Sequence, residues 1–403
     1  MLAATLILFA REPAHILHAE LWAEDGWEWY PFAYAHGVRS LTVPLVGYFQ
    51  TISRLVGLAA QWIPLPSVPT MFASVALVIQ AAPAAFLVSR RLEISWPSLR
   101  GRVLFALVYL MLPNTMEVYD NLTNAQWHLA ILSFLVLFAR APGGSAGWAF
   151  DAAVVVVSGL SGPFGIVLAP VAASRAWMER SRATRIRAML LMATVTVQAF
   201  AVLTTAGQRS PAGLGAEPTL LTRIVVQQVL FGGLFGQHAM VWLQSLSWWK
   251  NGALAWLGLA AGLGLAIAAF VRGPAILRAA MLCAGLLLTA ALARPQVDMV
   301  QLQWPLMTLP SIGGRYWYVP MLAWIGVLVS LAASRLVWLR GMAIALLAGL
   351  VFGVPNDFRF ARRQETDFVT LARVWEAAPL WTQMAFPVLP NPDRKMTLLK
   401  NRP

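Results

Sequence analysis

Acids and aromatic rings alternate along Trp22-Ala23-Glu24-Asp25-Gly26-Trp27-Glu28-Trp29-Tyr30, the stretch of this chain best equipped for chemistry. A carboxylate at a membrane surface can take a proton from a substrate or hold a metal, and indole and phenol faces suit sugars as well as lipid headgroups. Glu24 and Asp25 are therefore the candidate catalytic groups, with Trp27 and Trp29 as candidate substrate contacts. The plainer reading is an interfacial aromatic belt with solvated acids.

A second stretch, Glu117-Val-Tyr-Asp120-Asn121-Leu-Thr-Asn124-Ala-Gln-Trp127-His128, gathers hydrogen-bonding groups where an apolar run begins. Asn124, Trp127 and His128 could contact a substrate there. They could equally be a helix cap, a belt residue and a satisfied interface histidine. The third stretch is Gly313-Gly314-Arg315-Tyr316-Trp317-Tyr318-Val-Pro320. A guanidinium is planar, permanently charged and matched to phosphate oxygens, which makes Arg315 the candidate phosphate ligand with Tyr316 beside it. Snorkelling to ordinary headgroups is the alternative. Arg39, Arg54, Arg209, Arg223, Lys250 and Arg294 are further cations available to share that task. No motif has the pattern of a P-loop, a zinc cluster, a nucleophile elbow or a dinucleotide fingerprint, so no cofactor is implied and nucleotide hydrolysis by this chain alone is not expected. A divalent cation on the acids stays open.

The elements that must position these residues are membrane helices. With 59% hydrophobic and 12% charged residues, the chain is far from a soluble domain, where about a quarter of residues are charged. A bilayer core asks for roughly 20 apolar residues per helix, and strand alternation is absent, so the expected class is all-α, a polytopic transmembrane bundle. Apolar runs at 70–89, 103–114, 127–139, 148–160, 164–177, 188–206, 253–271, 279–293, 318–334 and 341–354 give about ten or eleven spans. Met1 to Ala10 is apolar but meets Arg11 after half the length a crossing needs, as in a first helix that starts late or is clipped. It has no basic start or cleavage site of a signal peptide.

The net charge of +13 does not point to nucleic acid, because the arginines collect in short connectors. Arg90, Arg91, Arg100 and Arg102 form one group, Arg175, Arg180, Arg182, Arg185 and Arg187 another, and Arg272, Arg278, Arg335 and Arg340 the rest. That pattern holds loops in the cytoplasm and touches anionic lipid. The segments 11–69, 114–126, 207–250 and 294–317 then share the opposite side as long loops with interfacial helices, joined by a tail over 355–403 that should dock on that face. Residues 1–354 make the transmembrane domain. Ile224 to Leu243 is apolar enough to cross, but crossing would put the later arginines outside, so it reads as interfacial or re-entrant. Gln227, Gln228, Gly232, Gly233, Gln237 and His238 within it favour that. Ser158 to Phe164 reads as a tight turn, and the lone Cys283 as a buried, inert thiol.

This layout resembles the GT-C superfamily of integral membrane glycosyltransferases, and also uncharacterised bacterial membrane proteins with a Glu-Asp-Gly loop and a stretch such as Gly47-Tyr48-Phe49. The resemblance covers about 11–320 and is architectural. It implies a polyprenyl-phosphate sugar donor, an acceptor glycan, lipid or protein of the cell envelope, and a multi-pass position in a bacterial-type inner membrane with the active face extracytoplasmic. It implies further that Asp25 or Glu24 acts as the base and that Arg315 neutralises the departing phosphate, with Trp27, Trp29 and Trp127 along the sugar path. A transporter or flippase is the rival from another class, and a non-catalytic envelope scaffold the third. Acids crowd the loops and not the spans, which favours chemistry at the surface over a midplane transport site. Oligomeric state is open.

Overall fold

The computed structural model describes residues 1–402 apart from Ala206, Gln208 and Asn251. Ala206 closes the 188–206 run, Gln208 belongs to the 207–250 segment and Pro403 ends the tail, so those points lie outside the described residues. The architecture is helical. In chain order the main elements are α1 (Leu2–Arg11), α2 (Thr51–Ala59), α3 (Val68–Leu87), α4 (Leu99–Met111), α5 (Ala125–Phe138), α6 (Ser145–Gly159), α7 (Phe164–Glu179) and α8 (Arg182–Thr205). They continue with α9 (Pro218–Ser245), α10 (Ala253–Arg272), α11 (Ala275–Ala293), α12 (Gly314–Ala332), α13 (Val337–Asp357) and α14 (Phe368–Ala377). The one sheet among the described residues is an antiparallel pair in the tail, β1 (Gln383–Phe386) and β2 (Met396–Leu399).

Seven helices among the described residues are long and apolar enough to cross a membrane: α8 to α13, and Leu65–Leu87, which contains α3. The remaining apolar runs form shorter helices, α1, α5 and α6 among them. The chain is thus a multi-pass membrane protein. Pro83 lies inside α3 and Pro320 inside α12, and the Tyr109 hydroxyl donates to the Gln80 carbonyl at 2.7 Å in the turn before Pro83.

Length and composition alone would count α9 as a straight crossing, but its geometry is a hairpin. Gly236 breaks the helix at φ 82°, ψ −179°, where an L side chain is strained and a Cβ would meet Asp357. Gln227 and Gln244 are 17 residues apart, about 25 Å in a straight helix, yet both donate to the carbonyl of Thr308 at 2.7 Å. Arg223 donates to the Lys250 carbonyl at 2.6 Å, which brings the two feet together. The glutamines in this apolar segment therefore have a structural purpose, tying the hairpin to the loop before α12.

The two ends of the bundle are chemically distinct. At one, the connector arginines converge: Arg91 and Arg187 share Asp151, Arg175 pairs with Glu179, and Arg102 binds the carbonyls of Leu87 and Ser89 at the end of α3. At the other lie the long loops, linked by Gln50 with Ser161, Ser210 with Asp298 and Thr366 with Glu20.

Arg11 explains how so short an α1 is held. Its guanidinium is fully buried and donates to the carbonyls of Leu110, Leu112, Asp357 and Phe358, the negative C-terminal ends of α4 and α13. It also lies 4.0 Å from the Phe360 ring centroid. A second knot is fully buried nearby, where Gln80 on α3 binds the carbonyls of Val118 and Asn121 and accepts from the amide of Asp120.

Candidate functional site

The first loop enters its acidic stretch through Ala23, held at φ 48°, and then winds one π turn over Asp25–Trp29. The turn aims successive carboxylates in different directions. Asp25 points into the protein and is 2% exposed. Its Oδ2 accepts the Leu122 amide at 3.1 Å and its Oδ1 accepts the Thr123 hydroxyl at 2.8 Å, while Trp29 Nε1 donates to that hydroxyl at 3.1 Å. Asp25 thereby fastens the first loop to the stretch before α5. Burial pushes its carboxyl up to about 7, aided by the charge of Glu24 and opposed by the two hydrogen bonds and by Arg363. Trp29 is 1% exposed and sits under Gly57, whose Cβ, if present, would come within 2.5 Å of the Trp29 carbonyl.

The tail straps this loop from outside. Leu389 bridges to Trp22, Val388 fills the space above Gly26, and Arg363 lies over the Trp22 ring at 4.3 Å and donates to the carbonyl of Asp120. Trp27 also belongs to this packing. Its Nε1 donates to the Arg394 carbonyl at 2.9 Å, and the Arg394 guanidinium covers its ring at 4.0 Å.

Glu24 faces elsewhere. It is half-buried, and its carboxylate makes no hydrogen bond or ion pair with any described residue. Its charge is within electrostatic reach of Arg315 and Tyr48. Arg315 pairs with Glu117, donates to the Gln296 carbonyl at 2.6 Å and reaches the Tyr316 hydroxyl at 3.3 Å. Glu117 also accepts the Arg315 amide at 3.1 Å, so one carboxylate caps α12 and orients the guanidinium. Burial and Tyr316 push the Tyr48 phenol up, and Arg209 and Arg315 pull it down. Arg209 lies 5.9 Å from the Tyr48 ring and against Gly47, whose φ of 103° suits glycine. The cluster therefore joins residues from both ends of the chain: Glu24, Tyr48, Arg209, Arg315 and Tyr316.

A second pairing flanks it. Glu28 is half-buried, its carboxyl raised by burial and lowered by Arg54 and Arg394. Arg54, 2% exposed, stacks on Trp29 and Phe32 with Nε and Nη1 lacking any hydrogen-bond partner. Burial pulls its pKa below the ordinary arginine value, and Glu28 opposes this.

Comparison of the chain with family models, with curated proteins and with solved structures finds no match.

The other residues singled out from sequence divide clearly. Asn124 is buried and donates to the Glu117 carbonyl at 2.8 Å, with no side-chain cap on α5, so it shapes the loop that carries Glu117. His128 is fully buried with Nε2 at 2.8 Å from the Val118 carbonyl and Nδ1 at 2.6 Å from the Tyr109 hydroxyl, which leaves no nitrogen for a substrate. Trp29 is enclosed in the same way. Trp127 differs, because its ring lies between Phe164 at 4.6 Å and Tyr316 at 6.4 Å while its buried Nε1 has no partner. An indole N–H left unpaired is costly, and a substrate oxygen could satisfy it. Phe164 in turn lines an apolar groove of about 410 Å³ that runs between α4, α5, α7, α11 and α12. Among the described residues no three His, Cys, Asp or Glu side chains converge in a metal-binding group.

Arg54 and Arg209 stood among six further cations in the sequence, with nothing to separate them from Arg39, Arg223, Lys250 and Arg294. Gly47-Tyr48-Phe49 was visible as a stretch, but only the fold reveals that it meets Arg209. The loop between them, together with α2 to α8, brings them together.

Proposed function

We propose that this protein is a membrane glycosyltransferase that moves a sugar from a polyprenyl-phosphate donor to an envelope acceptor on the extracytoplasmic side of a bacterial-type inner membrane. The observation that carries this reading is an unpartnered carboxylate, Glu24, within electrostatic reach of the Arg315 guanidinium and of Tyr48, whose ring Arg209 approaches, at the loop-rich end of the bundle. Glu24 takes the proton of the acceptor hydroxyl as that oxygen bonds to the anomeric carbon. The bond from that carbon to the phosphate oxygen breaks, and the lipid phosphate leaves with its charge held by Arg315 and Arg209. Single displacement inverts the anomeric centre. General-base help of this kind is worth about 10²–10⁴-fold.

Asp25 is a positioning residue in this scheme, since both its oxygens are engaged inside the protein. Tyr48, Tyr316 and Trp127 offer faces and donors to the sugar phosphate. The end of the apolar groove nearest Trp127, at Tyr109, Phe164 and Val319, suits the first units of a lipid tail. The arginine-rich connectors face the cytoplasm by the charge rule.

The groove also favours a second reading, lipid movement across the membrane, because it reaches from Val319 to Ser98 and Ala333 near the arginine-rich end. Sugar transfer from a polyprenyl-phosphate sugar pool, followed in proteoliposomes, separates the two. Transfer that falls in Glu24→Gln and Arg315→Gln while both proteins stay folded supports the transferase. Lipid movement without transfer, unchanged in both variants, supports the rival.

A further inference from the structure

The cavity at the arginine-rich end has no part in the chemistry above. It encloses about 680 Å³ between the loop after α3, the end of α5, the turn from α7 to α8 and the start of α11. Arg140, Arg175, Arg182 and Arg187 line it, with Trp148 and Thr184.

These arginines are not equivalent. Arg187 is 1% exposed and locked, with Nε and Nη2 on Asp151 at 3.1 and 2.7 Å and Nη1 on the Ala139 carbonyl at 2.7 Å. Arg91 occupies the same carboxylate at 2.8 and 2.7 Å, so two guanidinium groups share one negative charge. Arg175 is balanced by Glu179 at 2.6 Å and lies 4.0 Å over the Phe138 ring. The guanidinium groups of Arg140 and Arg182 make no hydrogen bond or ion pair with any described residue, and both residues are exposed. Around the cavity five arginines thus face two carboxylates, an excess of positive charge in a partly enclosed space.

The cavity also adjoins hydrocarbon. Ile276 lines both it and the lower end of the apolar groove, where Trp96, Pro274 and Ala280 form the walls. A polar recess with surplus cationic charge that shares a wall at Ile276 with an apolar slot matches an amphiphile with an anionic head. A free anion would leave the slot unused, and a nucleic acid has no apolar part to enter it.

We propose that this cavity is a binding site for an anionic phospholipid of the leaflet on the arginine-rich side. Its phosphodiester sits between Arg140 and Arg182, and one acyl chain enters the groove past Ile276. The locked Arg187–Asp151–Arg91 triad forms the rigid back wall and keeps the field positive.

The test uses the full chain purified with bound lipid and examined by native mass spectrometry. The probes are phosphatidylglycerol and phosphatidylcholine of matched chains. Wild type should retain phosphatidylglycerol over phosphatidylcholine, and Arg140→Gln with Arg182→Gln should cut that preference by about 10–30-fold, as expected for two surface cations. Both side chains are free, so folding is not at stake. Arg278→Gln with Arg340→Gln, exposed at the same end but outside the cavity, should leave the preference unchanged. Ala280→Phe, which fills the slot, should weaken retention of long-chain phosphatidylglycerol and spare the dihexanoyl form. An equal loss in the Arg278 and Arg340 control, no preference in wild type, displacement by millimolar inorganic phosphate, or an Ala280→Phe variant that holds both chain lengths normally would each overturn the proposal.

Discussion

Around Asp25 the polar atoms find partners inside the chain, whereas around Glu24 the carboxylate is left for something else. The two residues are consecutive, yet one is packed beneath the π turn and the other lies within electrostatic reach of Arg315 and Tyr48. Proximity to a site in sequence is therefore a poor guide to a role in it. Whether a buried group's hydrogen-bonding capacity is already used up is a better one.

The largest expected effect comes from breaking that contrast. Glu24→Gln should lower sugar transfer by about 10²–10⁴-fold with an unchanged melting temperature. Asp25→Asn should keep transfer within about threefold, far less than loss of a general base, because an amide can accept from Leu122 and donate to the Thr123 oxygen. Steady-state transfer rates and thermal melts on the same preparations check both.

Asp25 should reveal itself in the pH dependence of stability. Its folded-state pKa, near 7, lies above the ordinary carboxylate value of 3.8. The stability it contributes is thus fully present below about pH 4 and lost as the pH rises through about 7, by an amount on the order of a few kcal/mol. Asp25→Asn removes this loss. The melting temperature of the variant relative to wild type should rise from pH 4 to pH 7 and level off above that. A constant difference across the range would place the Asp25 charge outside the core.

Gly57→Ala sharpens the closed side of the comparison by steric means. A methyl group 2.5 Å from the Trp29 carbonyl must push apart α2 and the π turn, at a cost of about 1–3 kcal/mol in thermal or denaturant unfolding. The smallest effect is expected at the rim of the open cluster. Trp127→Phe keeps the ring between Phe164 and Tyr316 but loses an unpaired N–H, so transfer should fall by about tenfold at most, the worth of one hydrogen bond. Its stability should hold or improve.

The arginine connectors made one end of the bundle legible in the sequence, where Arg91, Arg102, Arg175 and Arg187 bind the ends of neighbouring helices. The glutamines and glycines of 224–243 likewise signalled a segment unlike a plain span, and the Gly236 break and shared Thr308 carbonyl explain why. Other features were not legible. Nothing in Glu24-Asp25 distinguishes the two acids until the π turn separates them. Trp29, Asn124 and His128 read as candidate substrate contacts, whereas α2, the loop carrying Glu117 and the tyrosines of α4 and α12 use up their surfaces and polar atoms. Arg11 gave no sign of its four carbonyl partners, which come from residues far along the chain. The strands of the tail were also missed, being two short segments whose burial depends on the first loop.

The joint action of Glu24 on the attacking hydroxyl and Arg315 on the departing phosphate is tested most directly by a double-mutant cycle on sugar transfer, with Glu24→Gln, Arg315→Gln and the two together. Groups that act on opposite sides of one displacement should be strongly coupled, so that the double variant is little worse than the poorer single one. Losses that simply multiply would mean that the two residues work apart, and the proposed site would not stand.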